Sequence, residues 1–147
     1  MRVKVFYENW LAKLILFGNY HTIMLFGFIL TKLNELSEAV FRHEKTHQKQ
    51  YVECMEIAAV PVILLSVYAS LWWLLLIPAF YYLLYLGEWA VLFIKYMHTH
   101  YECSVSEVNY LAYSSISFEK EAKLNQDNPN YLKERKWGAW IKYYGNV

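Results

Sequence analysis

Apolar residues run almost without interruption from Ile57 to Met97, a stretch that holds only two charged side chains, Glu88 and Lys95. A membrane-spanning helix needs about 20 predominantly apolar residues, so the stretch is long enough for two crossings. Pro78 lies near its middle, and proline interrupts the hydrogen-bond ladder of a helix. The pattern therefore predicts a membrane hairpin whose two helices cover residues 57–76 and 79–97.

The segments on either side of this apolar stretch predict further helices. Residues 37–56 contain no glycine or proline and are rich in helix-forming residues, and Ser37 stands where it can cap the first turn. The chain is thus predicted to be mainly α-helical and to form one membrane-associated domain over residues 1–147. Its parts are an N-terminal region, a polar helix, the hairpin and a C-terminal region that ends at the membrane interface, at residues 1–36, 37–56, 57–97 and 98–147.

The N-terminal region allows two interpretations. Residues 10–30 are apolar enough to form a third membrane helix, although several polar residues interrupt them. Alternatively, Gly18 and Asn19 form the turn of a β-hairpin between strands at 11–17 and 20–30. The periodicity of the sequence does not decide between the two.

The composition supports a membrane location. Hydrophobic residues make up 57% of the chain and charged residues 18%, against about 45–50% and 25% in soluble domains. A net charge of +1 and two cysteines argue against nucleic-acid binding and against a disulfide-stabilised scaffold. Lysine and arginine flank the hairpin and are missing from its tip, so the positive-inside rule predicts an inner, cytoplasmic-membrane protein with both flanks in the cytoplasm.

A short motif in the polar helix carries the chemistry. His43, Glu44 and His47 form the pattern H-E-x-x-H, in which two histidines four residues apart lie on the same helix face and can bind one metal ion. The glutamate beside the first histidine can act as general base on a metal-bound water. The motif therefore predicts a zinc site with His43 and His47 as ligands and Glu44 as the catalytic residue.

A catalytic zinc site usually has three protein ligands and an open position, so a third ligand is expected downstream. The segment 114–125 offers Glu119 and Glu121. Ligands of one metal must share one side of the membrane, and a hairpin with two crossings meets that requirement. Two other polar residues are expected to support the site: Gln50, on the histidine face of the helix, and Glu88, whose carboxylate is costly inside a membrane unless it is paired.

With these residues the chain resembles the gluzincin metallopeptidases, in which a helix with the H-E-x-x-H motif is followed by a helix bearing Glu-x-x-x-Asp. Glu121 and Asn125 have that spacing, with asparagine in place of aspartate. The resemblance implies that Glu121 is the third ligand and that Asn125 supports a ligand histidine. Glu119-x-Glu121-Ala122 also resembles the Glu-x-x-Ala-Asp signature of membrane peptidases related to HtpX and the CAAX prenyl protease, which implies Glu119 as the alternative ligand.

The wider order of a basic H-E-x-x-H helix, an apolar hairpin and the segment AYSSISFEKEA is similar to small uncharacterised bacterial membrane proteins with the same motif. We therefore expect a zinc-dependent membrane hydrolase, most simply a peptidase, whose active site faces the cytoplasm. Its expected partners are the lipid bilayer and a peptide or protein substrate, and no nucleic acid. The alternative is a catalytically silent membrane protein in which the metal has a structural role.

Overall fold

A computed structural model describes residues 4–16, 18 and 20–145. This part of the chain is mainly helical and contains one small three-stranded sheet. The strands are β1 (Val5–Phe6), β2 (Thr22–Leu25) and β3 (Phe28–Thr31). The α-helices are α1 (Trp10–Ile15), α2 (Glu38–Tyr68), α3 (Leu76–Thr99), α4 (Val105–Ser115), α5 (Ser117–Asn125) and α6 (Tyr131–Glu134), with 3₁₀ helices at Leu71–Leu75 and Ala139–Tyr143.

The N-terminal region differs from both interpretations of its sequence. Residues 10–15 form the short helix α1, capped by the Asn9 side chain, so they are neither a strand nor part of a membrane helix over 10–30. A β-hairpin is present, but its turn lies at Phe26 and Gly27, where both φ angles are positive. A two-residue hairpin turn needs this conformation to match the twist of the strands. Asn19, in the predicted turn, lies outside the described residues.

The sheet has the order β1–β3–β2, with β1 parallel and β2 antiparallel to β3. Strand β2 is therefore an edge strand. His21 and Lys32 are hydrogen-bonded through the Lys32 N–H and the His21 carbonyl, and the register pairs Thr22 with Thr31. Because hydrogen-bonded and non-hydrogen-bonded pairs alternate along an antiparallel ladder, the backbone N–H and C=O groups of Thr22 and Met24 point away from β3.

Helix α2 joins two elements that the sequence predicted separately. It contains 31 residues, from Glu38 to Tyr68, and so includes both the H-E-x-x-H motif and the first arm of the hairpin. Ser37 caps it as predicted, because its hydroxyl accepts a hydrogen bond from the Val40 N–H. Pro61 lies inside the helix without ending it. The motif is thereby built rigidly onto the first apolar arm.

The hairpin turns earlier than the predicted break at Pro78. Helix α2 ends at Tyr68, and Ser70 caps the 3₁₀ helix that leads into α3. Pro78 lies in the first turn of α3, where an N–H would have no partner within the helix, so proline is well tolerated there. The two apolar arms therefore lie at 57–68 and 76–99, and not at 57–76 and 79–97 as predicted. The segments Glu38–Tyr68 and Leu71–Thr99 are each long and apolar enough to cross a membrane.

The remaining helices fold back against the hairpin. Helix α4 packs along α3, and α5 packs against α2. The C-terminal residues pack into the fold: Trp140 is buried, and its ring lies 4.6 Å from that of Phe118, centroid to centroid. Phe118 in turn packs against Tyr81 of α3. This aromatic core holds α5 and the C-terminal residues against the face of α2 that carries the motif.

Candidate metal centre

Three side chains from two helices meet beside the hairpin. His43 and His47 lie one turn apart on α2, and Glu119 lies in the first turn of α5. The two Nε2 atoms are 3.0 Å apart. The Glu119 carboxylate oxygens lie 3.4 Å from His43 Nε2 and 3.2 Å from His47 Nε2. The fold thus brings together residues 43, 47 and 119.

The spacing of these three donor atoms suits a metal ion. Ligands at 2.0–2.1 Å from a tetrahedral zinc ion stand about 3.3 Å from one another, and the three separations here are 3.0, 3.2 and 3.4 Å. The group offers two imidazole nitrogens and one carboxylate, and the cluster is largely buried. These three residues can therefore hold one metal ion.

The sequence preferred Glu121 as third ligand, and the structure instead brings Glu119 to the histidines. Glu121 is fully buried, and its carboxylate accepts hydrogen bonds from Gln50, Tyr131 and Arg135. Residues two apart on a helix point to nearly opposite sides, at about 200° of rotation. Glu119 faces the motif while Glu121 faces the C-terminal residues, so we replace Glu121 by Glu119 in the ligand set.

Asn125 does not support a ligand histidine. Its side-chain amide donates to the backbone carbonyl of Glu121 and to the Tyr143 hydroxyl. It stabilises the end of α5 and the contact with the C-terminal 3₁₀ helix.

Gln50 is hydrogen-bonded to His47, with which it shares a face of α2. Its side-chain nitrogen donates to the Phe118 carbonyl and to Glu121, each at 3.0 Å. Both partners are acceptors, which identifies this atom as the amide nitrogen. Gln50 Oε1 therefore faces His47 Nδ1, at 2.8 Å, and accepts its N–H. His47 Nε2 is left to face Glu119 and His43.

The Glu119 carboxylate is held in its anionic form. Burial raises the pKa of Glu119, but His47 and His43 lower it by more than burial raises it. The pKa of Glu119 therefore lies well below its usual range. Burial works against the charged form of His47 also, and Glu119 outweighs it and raises the pKa of His47 to about 9. Tyr85 donates a hydrogen bond of 2.7 Å to Glu119. The metal-free cluster is thus an ion pair between Glu119 and a protonated His47.

Glu44 lies next to this cluster. Its side chain is buried, and burial raises its pKa while the neighbouring histidines lower it. The backbone N–H of Met24 donates to it from the open edge of β2. A carboxylate with a raised pKa beside a metal site has the properties of a general base.

Glu88, in the middle of α3, does not contact the cluster of His43, His47 and Glu119 directly. Its two oxygens accept hydrogen bonds from the N–H and the hydroxyl of Ser117. Ser117 is the first residue of α5, two positions before Glu119. Glu88 therefore fixes the start of the helix that presents Glu119.

A cavity of about 300 Å³ opens beside the cluster. Its walls are mainly apolar and include Ile23 and Met24 of β2 with Tyr82 and Leu86 of α3. Among the described residues that line it, the ionisable side chains are His43, Glu44, His47 and Glu119, together with tyrosines. Leu86 is 58% exposed, so the rim of the cavity meets the apolar outer face of α3.

Several supporting residues were missed at the level of sequence: Tyr85, Tyr131, Arg135 and Glu53. Glu53 follows Gln50 by one helical turn and lies at the edge of the apolar segment. Because a carboxylate in such a place is costly unless it is paired, its position predicts a cationic partner. Arg135 is that partner, but nothing in the basic C-terminal region distinguishes it from its lysine neighbours. The sequence contains 14 tyrosines, and their spacing alone does not single out Tyr85 and Tyr131.

Comparison of the chain with protein-family models, with curated proteins and with solved structures finds no match.

Proposed function

We propose that this protein is a zinc-dependent membrane peptidase. One observation carries the proposal: the buried Glu44 carboxylate lies beside a His-His-Glu cluster, in a cavity lined by the open edge of a β-strand. A metal site, a general base and an edge strand are the parts that hydrolysis of an extended peptide requires. The resemblance to membrane peptidases related to HtpX and the CAAX prenyl protease, which implies Glu119 as a ligand, points the same way.

Zinc fits the donor set better than the common alternatives. Two imidazoles with one carboxylate are ligands of catalytic zinc, whereas calcium and magnesium prefer sites made wholly of oxygen donors. Zinc supplies a Lewis acid and lowers the pKa of water. His43, His47 and Glu119 are the proposed ligands, and they leave one tetrahedral position for water or substrate.

Glu44 is the proposed general base. It accepts the proton of the attacking water and passes it to the leaving amine. Burial and the adjacent histidines act on its pKa in opposite directions, which keeps the carboxylate available for proton transfer. The hydrogen bond that Glu44 accepts from the Met24 N–H fixes the carboxylate relative to β2.

The peptide is proposed to bind along β2. Thr22 directs its N–H and C=O to the open edge and Met24 its C=O, and extended peptides bind such edges by adding a strand. The cavity beside the edge is apolar and large enough to hold a bulky side chain. We therefore expect substrates with an apolar residue next to the scissile bond.

The protein is proposed to reside in the inner, cytoplasmic membrane with the metal site on the cytoplasmic side. Lysine and arginine flank the hairpin and do not occur between residues 51 and 94, which favours cytoplasmic flanks. The exposed Trp72 at the hairpin tip suits the opposite interface.

The test combines metal content with hydrolysis. Wild type and Glu44→Gln are purified in detergent, loaded with zinc, and measured by mass spectrometry and with a fluorogenic peptide library. We expect about one zinc per chain in both proteins and cleavage by the wild type alone. Glu56→Gln, an exposed glutamate on the same helix, is the matched control and should retain activity. Equal metal binding with no cleavage by any variant would instead favour the catalytically silent metal protein.

A further inference from the structure

A buried group of three charged residues lies behind the metal-binding cluster. The Arg135 guanidinium binds two carboxylates, those of Glu53 on α2 and Glu121 on α5. All three side chains are at most 7% exposed. Glu121 also accepts a hydrogen bond from Tyr131 at 2.7 Å. The C-terminal residues are thus joined to both helices that carry the proposed metal ligands.

One of these two carboxylates continues toward the metal site. Glu121 accepts the Gln50 amide at 3.0 Å, and Gln50 Oε1 lies 2.8 Å from His47 Nδ1. Glu53 binds the same guanidinium, and its described hydrogen bonds do not include Gln50. A continuous chain of hydrogen bonds therefore runs from Arg135 through Glu121 and Gln50 to His47.

We propose that Arg135 is a positioning residue for His47, acting through Glu121 and Gln50. The inference rests on the proposed metal site. Arg135 fixes the Glu121 carboxylate, and the carboxylate holds and polarises the Gln50 amide. The amide oxygen keeps the hydrogen of His47 on Nδ1, which directs the Nε2 lone pair to the metal. Hydrogen-bond partners of metal-ligating histidines typically change metal affinity by about 10–100-fold when they are lost.

The role of Glu53 provides the contrast that separates positioning from general stabilisation. Removing either carboxylate takes one partner from a buried guanidinium, and both changes are expected to destabilise the fold. Only the loss of Glu121 interrupts the connection to His47. Glu121→Gln and Glu53→Gln therefore form a matched pair that differs in the link to Gln50.

The experiment measures zinc affinity by chelator competition and the visible absorption spectrum of the cobalt-substituted protein. We expect Glu121→Gln and Arg135→Lys to weaken zinc binding by about tenfold or more and to alter the cobalt spectrum. Glu53→Gln should bind zinc within about twofold of the wild type and keep its spectrum. Gln50→Leu should weaken binding at least as much as Glu121→Gln, and adding Glu121→Gln to it should cause little further loss.

Equal losses of affinity in Glu53→Gln and Glu121→Gln would overturn the inference, as would an unchanged affinity in folded Glu121→Gln. If Arg135→Lys does not fold, the cycle between Gln50→Leu and Glu121→Gln decides the question, and additive losses there count against the connection. A wild type that binds neither zinc nor cobalt overturns the proposed function together with the inference. A wild type that binds zinc no better than Glu121→Gln overturns the inference alone.

Discussion

Glu88 of α3 accepts two hydrogen bonds from Ser117, one from its backbone N–H at 3.0 Å and one from its hydroxyl at 2.7 Å. The first N–H groups of a helix lack partners within the helix, and residue 116, which precedes α5, is an isoleucine without a side chain that can cap. A carboxylate from the apolar hairpin thus caps the helix that carries Glu119. Its negative charge also faces the positive end of the helix dipole.

We predict that Glu88→Ala reduces both stability and metal binding. Loss of a helix cap costs about 0.5–2 kcal/mol, and fraying of the first turn of α5 displaces Glu119. The measurements are thermal unfolding in detergent and zinc affinity. The control is Glu107→Ala, which removes the capping box of α4 without a contact to the metal cluster. It should lower stability and leave zinc affinity unchanged, so an equal loss of affinity in both variants would contradict this role of Glu88.

A second prediction concerns the ligand set. His43→Ala, His47→Ala and Glu119→Ala should each reduce zinc from about one ion per chain to a small fraction, because each removes one of three donor atoms. Glu121→Gln should still bind one zinc per chain at saturating concentration, although more weakly. Mass spectrometry of the purified variants measures the stoichiometry. Full occupancy in Glu119→Ala together with loss in Glu121→Gln would restore the assignment based on resemblance.

The sequence predicted the two histidines of the site, which lie on one helix, but it did not settle which residue of a distant helix joins them. His43 and His47 were recognised because a spacing of four residues places two side chains on the same face of any α-helix. Glu119 and Glu121 were both candidates, and the resemblance favoured Glu121, since helical geometry shows only that the two face opposite ways. Glu121 is paired with Arg135, which lies 14 positions further along the chain. Sequence periodicity does not predict this ion pair, so it could not show which glutamate faces the histidines.

The same division holds for the fold. The apolar stretch predicted the hairpin because length and composition set it, but the turn was misplaced at Pro78, which is compatible with a first helical turn as well as with a break. The sheet was only partly foreseen. Its third strand, the two-residue β1, pairs in parallel with β3, and a pair this short leaves no pattern in the sequence.

We further predict that zinc binding releases a proton. Glu119 raises the pKa of His47 to about 9, so the metal-free site carries this proton at neutral pH, and zinc must displace it. Zinc affinity should therefore rise by about tenfold per pH unit up to about pH 9 and become level above it. Isothermal titration calorimetry in buffers of different ionisation enthalpy counts the protons. Zinc binding with no proton released at pH 7 would refute the proposed ion pair.

The last prediction tests the open edge of β2. Thr22→Pro removes a backbone N–H that faces away from β3, so the sheet keeps its ladder while a bound peptide loses one hydrogen bond. A hydrogen bond contributes about 0.5–1.5 kcal/mol, so kcat/KM for a peptide substrate should fall by about two- to tenfold with zinc content unchanged. Thr22→Ala is the control, because it also loses the hydroxyl contact with Thr31 but retains the N–H. If Thr22→Ala loses as much activity as Thr22→Pro, the side chain rather than the strand edge contacts the substrate, and binding by strand addition is wrong.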